Sequence, residues 1–158
     1  MRTGPTIFPG AAIRLNAAIL ALLLCAPVDA ATLTAEIGNV RNARGHVHID
    51  ICPEDRFLKD NCPYAGEAPA TPGRTIVVVH NVAPGRYAVQ AYQDENDNHD
   101  VDRALFGIPK EGVGFSRDAR IGLGPPKWKD AVFAIDGDTR IRLSLRYFLG
   151  PSGPPASR

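Results

Sequence analysis

Between residues 94 and 102 the chain reads Asp-Glu-Asn-Asp-Asn-His-Asp-Val-Asp, five carboxylates in nine residues. Like charges about 4 Å apart cost on the order of 1 kcal/mol per pair even in water, and more where protein lowers the dielectric. A cation relieves that repulsion. Oxygen-bearing side chains recur at alternate positions, Asp94, Asn96 and Asn98, and continue with Asp100 and Asp102. This is the opening of a hard-cation loop, and Ca²⁺ accepts about six to eight such oxygens. The pattern departs from an EF-hand loop at His99, where glycine makes the turn, and at Leu105, where a bidentate Glu closes the site. Glu111 is the nearest further carboxylate along the loop. The expected cofactor is therefore Ca²⁺ at the weak affinity of extracellular modules, about 10⁻⁴ to 10⁻³ M. Magnesium or manganese is the rival ion, and a solvated acidic turn without any ion the rival structure.

Imidazoles suit softer metals. His46 and His48 alternate, which on a strand places both rings on one face about 7 Å apart, with His80 at another strand end as a conceivable third ligand for copper or zinc. Gly114-Phe115-Ser116-Arg117-Asp118 resembles a nucleophile elbow but has Asp118 where that turn needs glycine, which disfavours a serine hydrolase. Gly107, Gly112 and Gly114 around Lys110 lack phosphate-loop spacing and read as turn formers. A glycosidase pair needs one carboxyl in an apolar pocket, which a solvated acidic cluster does not offer. The stripe Arg140, Arg142, Arg146 reads as the solvated face of the last strand, or as a contact for an acidic sugar or partner.

These residues must be positioned by strands, because period-two alternation recurs and helical periodicity almost never does. Leu33, Ala35 and Ile37 share one face of 32–40; Val47, Ile49 and Ile51 share one face of 45–52, with His46, His48 and Asp50 opposite. Residues 74–80 are apolar on both faces and read as a central strand. Tyr87, Val89 and Ala91 mark 86–93. Ala131–Ile135, the turn Asp136-Gly137-Asp138 and Thr139–Phe148 read as a closing hairpin. Pro53–Lys59 is the only helix candidate. Six such strands bury their apolar faces as two packed sheets, so the fold class is all-β: an antiparallel two-sheet, Greek-key sandwich. Pro84-Gly85-Arg86-Tyr87 has the form of a tyrosine corner. The long segment after Gln93, rich in Gly, Pro and charge, carries Leu105, Phe106, Ile108, Val113, Phe115, Ile121 and Trp128. With that much to bury it reads as an ordered loop over one end or face of the sandwich.

The ends of the chain set the compartment. Arg2 and Arg14, the apolar run Ala17–Ala26 and Val28-Asp29-Ala30 form the three regions of a secretory signal peptide, residues 1–30, cleaved after Ala30. The run is too short for a transmembrane helix, so no membrane segment is expected after cleavage. Without the leader sixteen basic and sixteen acidic residues remain, a balance that attracts neither nucleic acid nor an anionic membrane. Residues 31–149 make the sandwich domain, and 150–158 an expected disordered Pro/Gly-rich tail. In an oxidising periplasmic or extracellular compartment the two remaining cysteines, Cys52 and Cys62, are expected to form a disulfide. Its short loop limits the stabilisation to somewhat under about 3 kcal/mol.

Two stretches carry a family resemblance: Val82-Ala83-Pro84-Gly85-Arg86-Tyr87-Ala88-Val89, and Asp94-Glu95-Asn96 through Asn98 and Asp102 to Phe106-Gly107-Ile108-Pro109-Lys110-Glu111-Gly112-Val113-Gly114-Phe115-Ser116. The chain resembles the bacterial domain-of-unknown-function family numbered 2141 over nearly all its mature length. The resemblance implies an exported β-sandwich of prealbumin-like or carboxypeptidase-regulatory-like type, and transfers no catalytic residue. Members tend to carry glycine where this chain has His99, and a His tolerates positive φ better than most residues.

The leading functional expectation is a non-enzymatic, calcium-stabilised envelope module. It binds carbohydrate, peptide or another envelope protein through the surface near the long loop. A metal-assisted hydrolase using the acidic loop and His99 is the alternative, and a copper or zinc carrier using His46 and His48 the second.

Overall fold

The computed structural model describes Met1, Gly4 and residues 30–155, so nearly all of the expected leader lies outside the described residues. The strands are β1 Ala31–Val40, β2 His46–Cys52, β3 Tyr64–Pro69, β4 Gly73–Val82, β5 Gly85–Asp94, β6 Val113–Phe115, β7 Phe133–Ile135 and β8 Thr139–Ser144, with one short helix, α1 Trp128–Ala131. They form two sheets. One has the order β4-β1-β8; the other runs β3-β2-β5-β6, with β7 also pairing to β5. Every pairing is antiparallel except β1 with β8, which run parallel. The fold is the expected all-β two-sheet sandwich. No helix among the described residues is long and apolar enough to cross a membrane.

Alternation builds the core. Leu33, Ala35 and Ile37 of β1, Val77 and Val79 of β4 and Leu143 of β8 meet Val47, Ile49 and Ile51 of β2 and Tyr87, Val89 and Ala91 of β5. Burying one such aliphatic side chain contributes roughly 1.5–3 kcal/mol. The tyrosine corner forms: Tyr87 Oη donates to the Ala83 carbonyl at 3.0 Å, and the Ala83 N–H donates to Tyr64 Oη at 3.2 Å. Gly85 lets the ring lie close, because a Cβ there would stand 3.0 Å from it and the ring would have to give by a few tenths of an ångström.

Four expectations change. Residues 133–135 and 139–144 do not pair as a hairpin: β7 joins β5 while β8 joins β1, so Asp136-Gly137-Asp138 carries the chain between sheets. Gly137 lacks the positive φ of a tight hairpin turn, and Asp138 Oδ1 instead accepts the Thr32 N–H at 2.7 Å. β4 is an edge strand, with Ile76 and Val78 half exposed on its outer face; β1 holds the centre. Apolar side chains on both faces therefore did not mark the central position. The arginine stripe breaks, since β8 ends at Ser144 and Arg146 pairs with Val113 of the other sheet, its side chain reaching the Asp118 carbonyl at 3.2 Å. Pro53–Lys59 shrinks to a 3₁₀ turn at Glu54–Arg56. There the chain must turn back to Cys62, and Leu58, at φ +64°, gives its N–H to Gln90 Oε1.

The Cys52–Cys62 disulfide is formed, with Cα atoms 4.8 Å apart. At the other end, residues of 149–152 lie along β1: Asn39 Nδ2 donates to the Ser152 carbonyl at 2.8 Å and Arg41 Nη1 to the Leu149 carbonyl at 2.9 Å.

A loop-covered cleft on the larger sheet

Outward-facing residues of the larger sheet lie in cross-strand rows. His46 pairs with Asp94, His48 with Tyr92, Asp50 with Gln90 and Cys52 with Ala88; on the other side of β2, His48 pairs with Glu67. The segment 95–132, which gives β6 to the sheet edge, otherwise packs over the two ends of this face. At the Ala88 end it supplies a second small core, in which Ala88, Phe115, Ala119 and Ala131 pack with Phe57, Ile121 and Trp128. Ser116 latches that core: its hydroxyl donates to the Ala131 carbonyl at 2.6 Å and accepts the Val89 N–H at 2.9 Å. The nucleophile-elbow serine is thus a buried strut.

At the Asp94 end stands the acidic loop. Asp94 closes β5 and is only 2% exposed. Its carboxylate accepts the N–H of Asn98 at 3.1 Å and of His99 at 2.7 Å. Such charge-assisted bonds explain why Asp97 and His99 hold φ of +56° and +62°. Asn96 and Asn98 each donate a side-chain N–H to the Asp102 carboxylate, at 3.0 and 3.2 Å. Asp100 bonds the Val101 N–H at 2.7 Å and lines the cleft. Glu111, 4% exposed, accepts the N–H of Glu95 at 2.9 Å and of Asp102 at 3.1 Å. Burial pushes its carboxyl up despite those two bonds, with Asp94 and Asp102 adding to the rise. Neither Asp94 nor Glu111 has a cationic partner among the described residues.

Between the two ends lies a cleft of about 780 Å³. His48, Asp50, Gln90 and Tyr92 make its floor, and Phe106, Ile108, Leu123 and Phe148 its exposed apolar rim. Gln90 ties the floor to the disulfide loop: Nε2 donates to Asp50 Oδ2 at 3.2 Å and to the Lys59 carbonyl at 3.3 Å. The His48 and Tyr92 rings lie 5.1 Å apart. Burial pushes the Tyr92 phenol up, so it stays protonated and available as a donor. His48 is also raised, first by its hydrogen bond to Asp50 and further by the charges of Asp50 and Glu67.

The residues singled out by sequence divide accordingly. Asp94, Asn96, Asn98 and Asp102 come together with Glu111 behind them, while Asp100 turns toward the cleft. His46 and His48 share a face as expected, but His46 Nδ1 is engaged by Asp97 at 2.7 Å. His80 lies on the opposite sheet, beside Thr32, and cannot join them. Arg140 and Arg142 also sit on that opposite face. Sequence reasoning missed Glu67, Gln90 and Tyr92. The alternation Tyr64-Ala65-Gly66-Glu67-Ala68-Pro69 was present, but small residues and proline hid β3.

The molecule is thus an all-β sandwich with one sheet face converted into a roofed cleft. It belongs to the bacterial family described as "uncharacterized protein conserved in bacteria (DUF2141)", whose model matches residues 35–142. No curated protein and no solved structure matches the chain.

Proposed function

We propose that this is an exported, non-enzymatic envelope module, periplasmic or extracellular, that binds carbohydrate in the cleft of its larger sheet and is stabilised by Ca²⁺ in the acidic loop. The observation that carries the reading is the cleft itself: a polar floor of carboxylate, amide, imidazole and phenol inside an apolar, partly aromatic rim. Sugars present hydroxyl groups and apolar C–H faces together, and few convergent polar groups in an otherwise apolar lining is how small-ligand sites achieve orientation. The disulfide and the leader pattern support export. The two buried, cation-free carboxylates Asp94 and Glu111 support calcium. With Asp102, Asn96 and Asn98 they supply the oxygen ligands a hard cation takes, though among the described residues they are not gathered around one ion position and binding must draw them together.

Trp128 is the only tryptophan and packs with Phe57 behind Phe115 and Ile121 of the cleft wall, so its fluorescence is expected to respond to occupancy. Titration with soluble oligosaccharides is expected to shift that emission, and Gln90→Ala to abolish the shift. A response to peptides alone, or none to any oligosaccharide, overturns the carbohydrate assignment. Calcium added to chelator-stripped protein is expected to raise Tm, with the rise lost in Asp102→Ala. An unchanged Tm removes calcium from the account.

A further inference from the structure

Glu67 of β3 stands beside His48 of β2 and His99 of the acidic loop, both of which line the cleft. Glu67 Oε2 stands 3.5 Å from His48 Nδ1 and 3.9 Å from His99 Nδ1. Zinc binds imidazole nitrogen at about 2.0–2.1 Å and carboxylate oxygen at about 2.0–2.2 Å, so two ligands at tetrahedral angles lie roughly 3.4 Å apart. The first separation already has the length of a coordination edge; the second is about half an ångström longer, by that same estimate.

Three further features point the same way. His48 Nδ1 is buried and makes no hydrogen bond, the one side-chain polar atom in that condition among the described residues. Its ion-pair partner, the Glu67 carboxylate at 3.5 Å, stands too far for a good hydrogen bond and at a length that a shared ion would fill. The opposite ring nitrogen, Nε2, lies 3.3 Å from Asp50 Oδ1, and Asp50 is held in turn by Gln90. That is the carboxylate–histidine arrangement that orients a metal-ligating imidazole and sets its tautomer. The His99 backbone, finally, is fixed by Asp94 in the left-handed conformation, which keeps its ring within reach of Glu67.

We propose that His48 Nδ1, His99 Nδ1 and Glu67 Oε2 bind one divalent transition-metal ion of the zinc type, with its remaining coordination open to the cleft. No group of three such side chains among the described residues is already gathered in metal-binding geometry. Closing this one requires rotation of Glu67 and His99, whose side chains are 46% and 69% exposed and free to move. Nitrogen donors select a borderline cation over calcium, so the site differs in chemistry from the oxygen set, although Asp94 of that set also holds the His99 backbone. The ligand set also replaces the His46–His48–His80 grouping, since Asp97 occupies His46 and His80 lies on the other sheet.

The test is calorimetric titration of the chelator-stripped, purified chain with Zn²⁺, alongside Co²⁺ followed by visible absorption. One equivalent is expected to bind and to give the ligand-field bands of a tetrahedral nitrogen–oxygen site. His99→Asn, which keeps a residue tolerant of positive φ, and Glu67→Gln are expected to lose that binding while melting like the parent without metal. Asp50→Asn is expected to weaken it by about 10–100-fold. His46→Ala and His80→Ala are expected to bind as the parent does. The proposal is overturned if no equivalent binds, if His99→Asn binds like the parent, or if His46→Ala abolishes binding.

Discussion

The two outer faces of the sandwich are built from the same alternation and end in opposite states. On the smaller sheet, Thr34 and Glu36 of β1 lie between Val78 and Ile76 of β4 and Arg140 and Arg142 of β8, and among the described residues no segment like 95–132 lies over them. Glu36 reaches Arg142 at 3.2 Å and Arg74 at 3.5 Å, exposed pairs of the kind that contribute little. On the larger sheet the outward residues are no more polar, yet residues 95–132 roof them, bury Asp94 and Glu111 and leave a cleft over His48, Asp50, Gln90 and Tyr92. Period two tells which side chains point away from the core. Whether "away" means solvent is decided by a segment far along the chain.

The largest expected effect falls where roof and sheet meet. Gly45 has φ +62°, and a Cβ there would stand 1.8 Å from the Asp94 carbonyl oxygen. Gly45→Ala therefore combines backbone strain with a clash that only a shift of β2 against the end of β5 relieves. A loss of about 3 kcal/mol or more in urea unfolding is expected. A parent-like midpoint would mean that the acidic loop is not anchored through this contact.

A smaller loss is expected from the strut inside the roof. Ser116→Ala removes the acceptor of the buried Val89 N–H and the donor to the Ala131 carbonyl, worth about 1–3 kcal/mol when a buried group is left unpaired. The matching change on the bare face, Val78→Thr, is expected to stay within about 0.5 kcal/mol. Equal losses at both sites would erase the distinction between the faces.

Much of this architecture is legible in the chain. The core positions of β1, β2 and β5 alternate strictly, the Tyr87 corner is announced by Pro84-Gly85, and the Cys52–Cys62 pair, expected from cysteine count and the leader pattern, is joined. Pairing partners are not legible in the same way. Asp136-Gly137-Asp138 has hairpin chemistry, but β1 offers β8 a parallel partner and β5 offers β7 an antiparallel one, and tertiary pairing outweighs the local turn. The site is legible in its acids and histidines and illegible in its assembly. His48 and Asp50 are neighbours on one face by spacing alone, whereas Glu67 arrives on a strand whose Ala, Gly and Pro residues conceal it, and His99 arrives from the far end of β5.

The smallest effect is a slope, and it separates the covered face from any arrangement of exposed charges. His48 faces Asp50, Glu67 and Tyr92, and its imidazole is raised above the ordinary 6.5, first through its hydrogen bond to Asp50. Folding therefore favours the protonated ring. That contribution is fully present below the unfolded value of 6.5 and is lost as pH rises through the higher folded value. His46, raised by its hydrogen bond to Asp97, acts in the same direction. Metal-free protein is accordingly expected to show a Tm that falls as pH rises from about 6 to about 8, with a shallower fall in His48→Gln. Saturating Zn²⁺ should reverse the slope, because a metal takes the neutral imidazole and competes with the proton. Parallel slopes with and without Zn²⁺ would show that the ion does not reach His48.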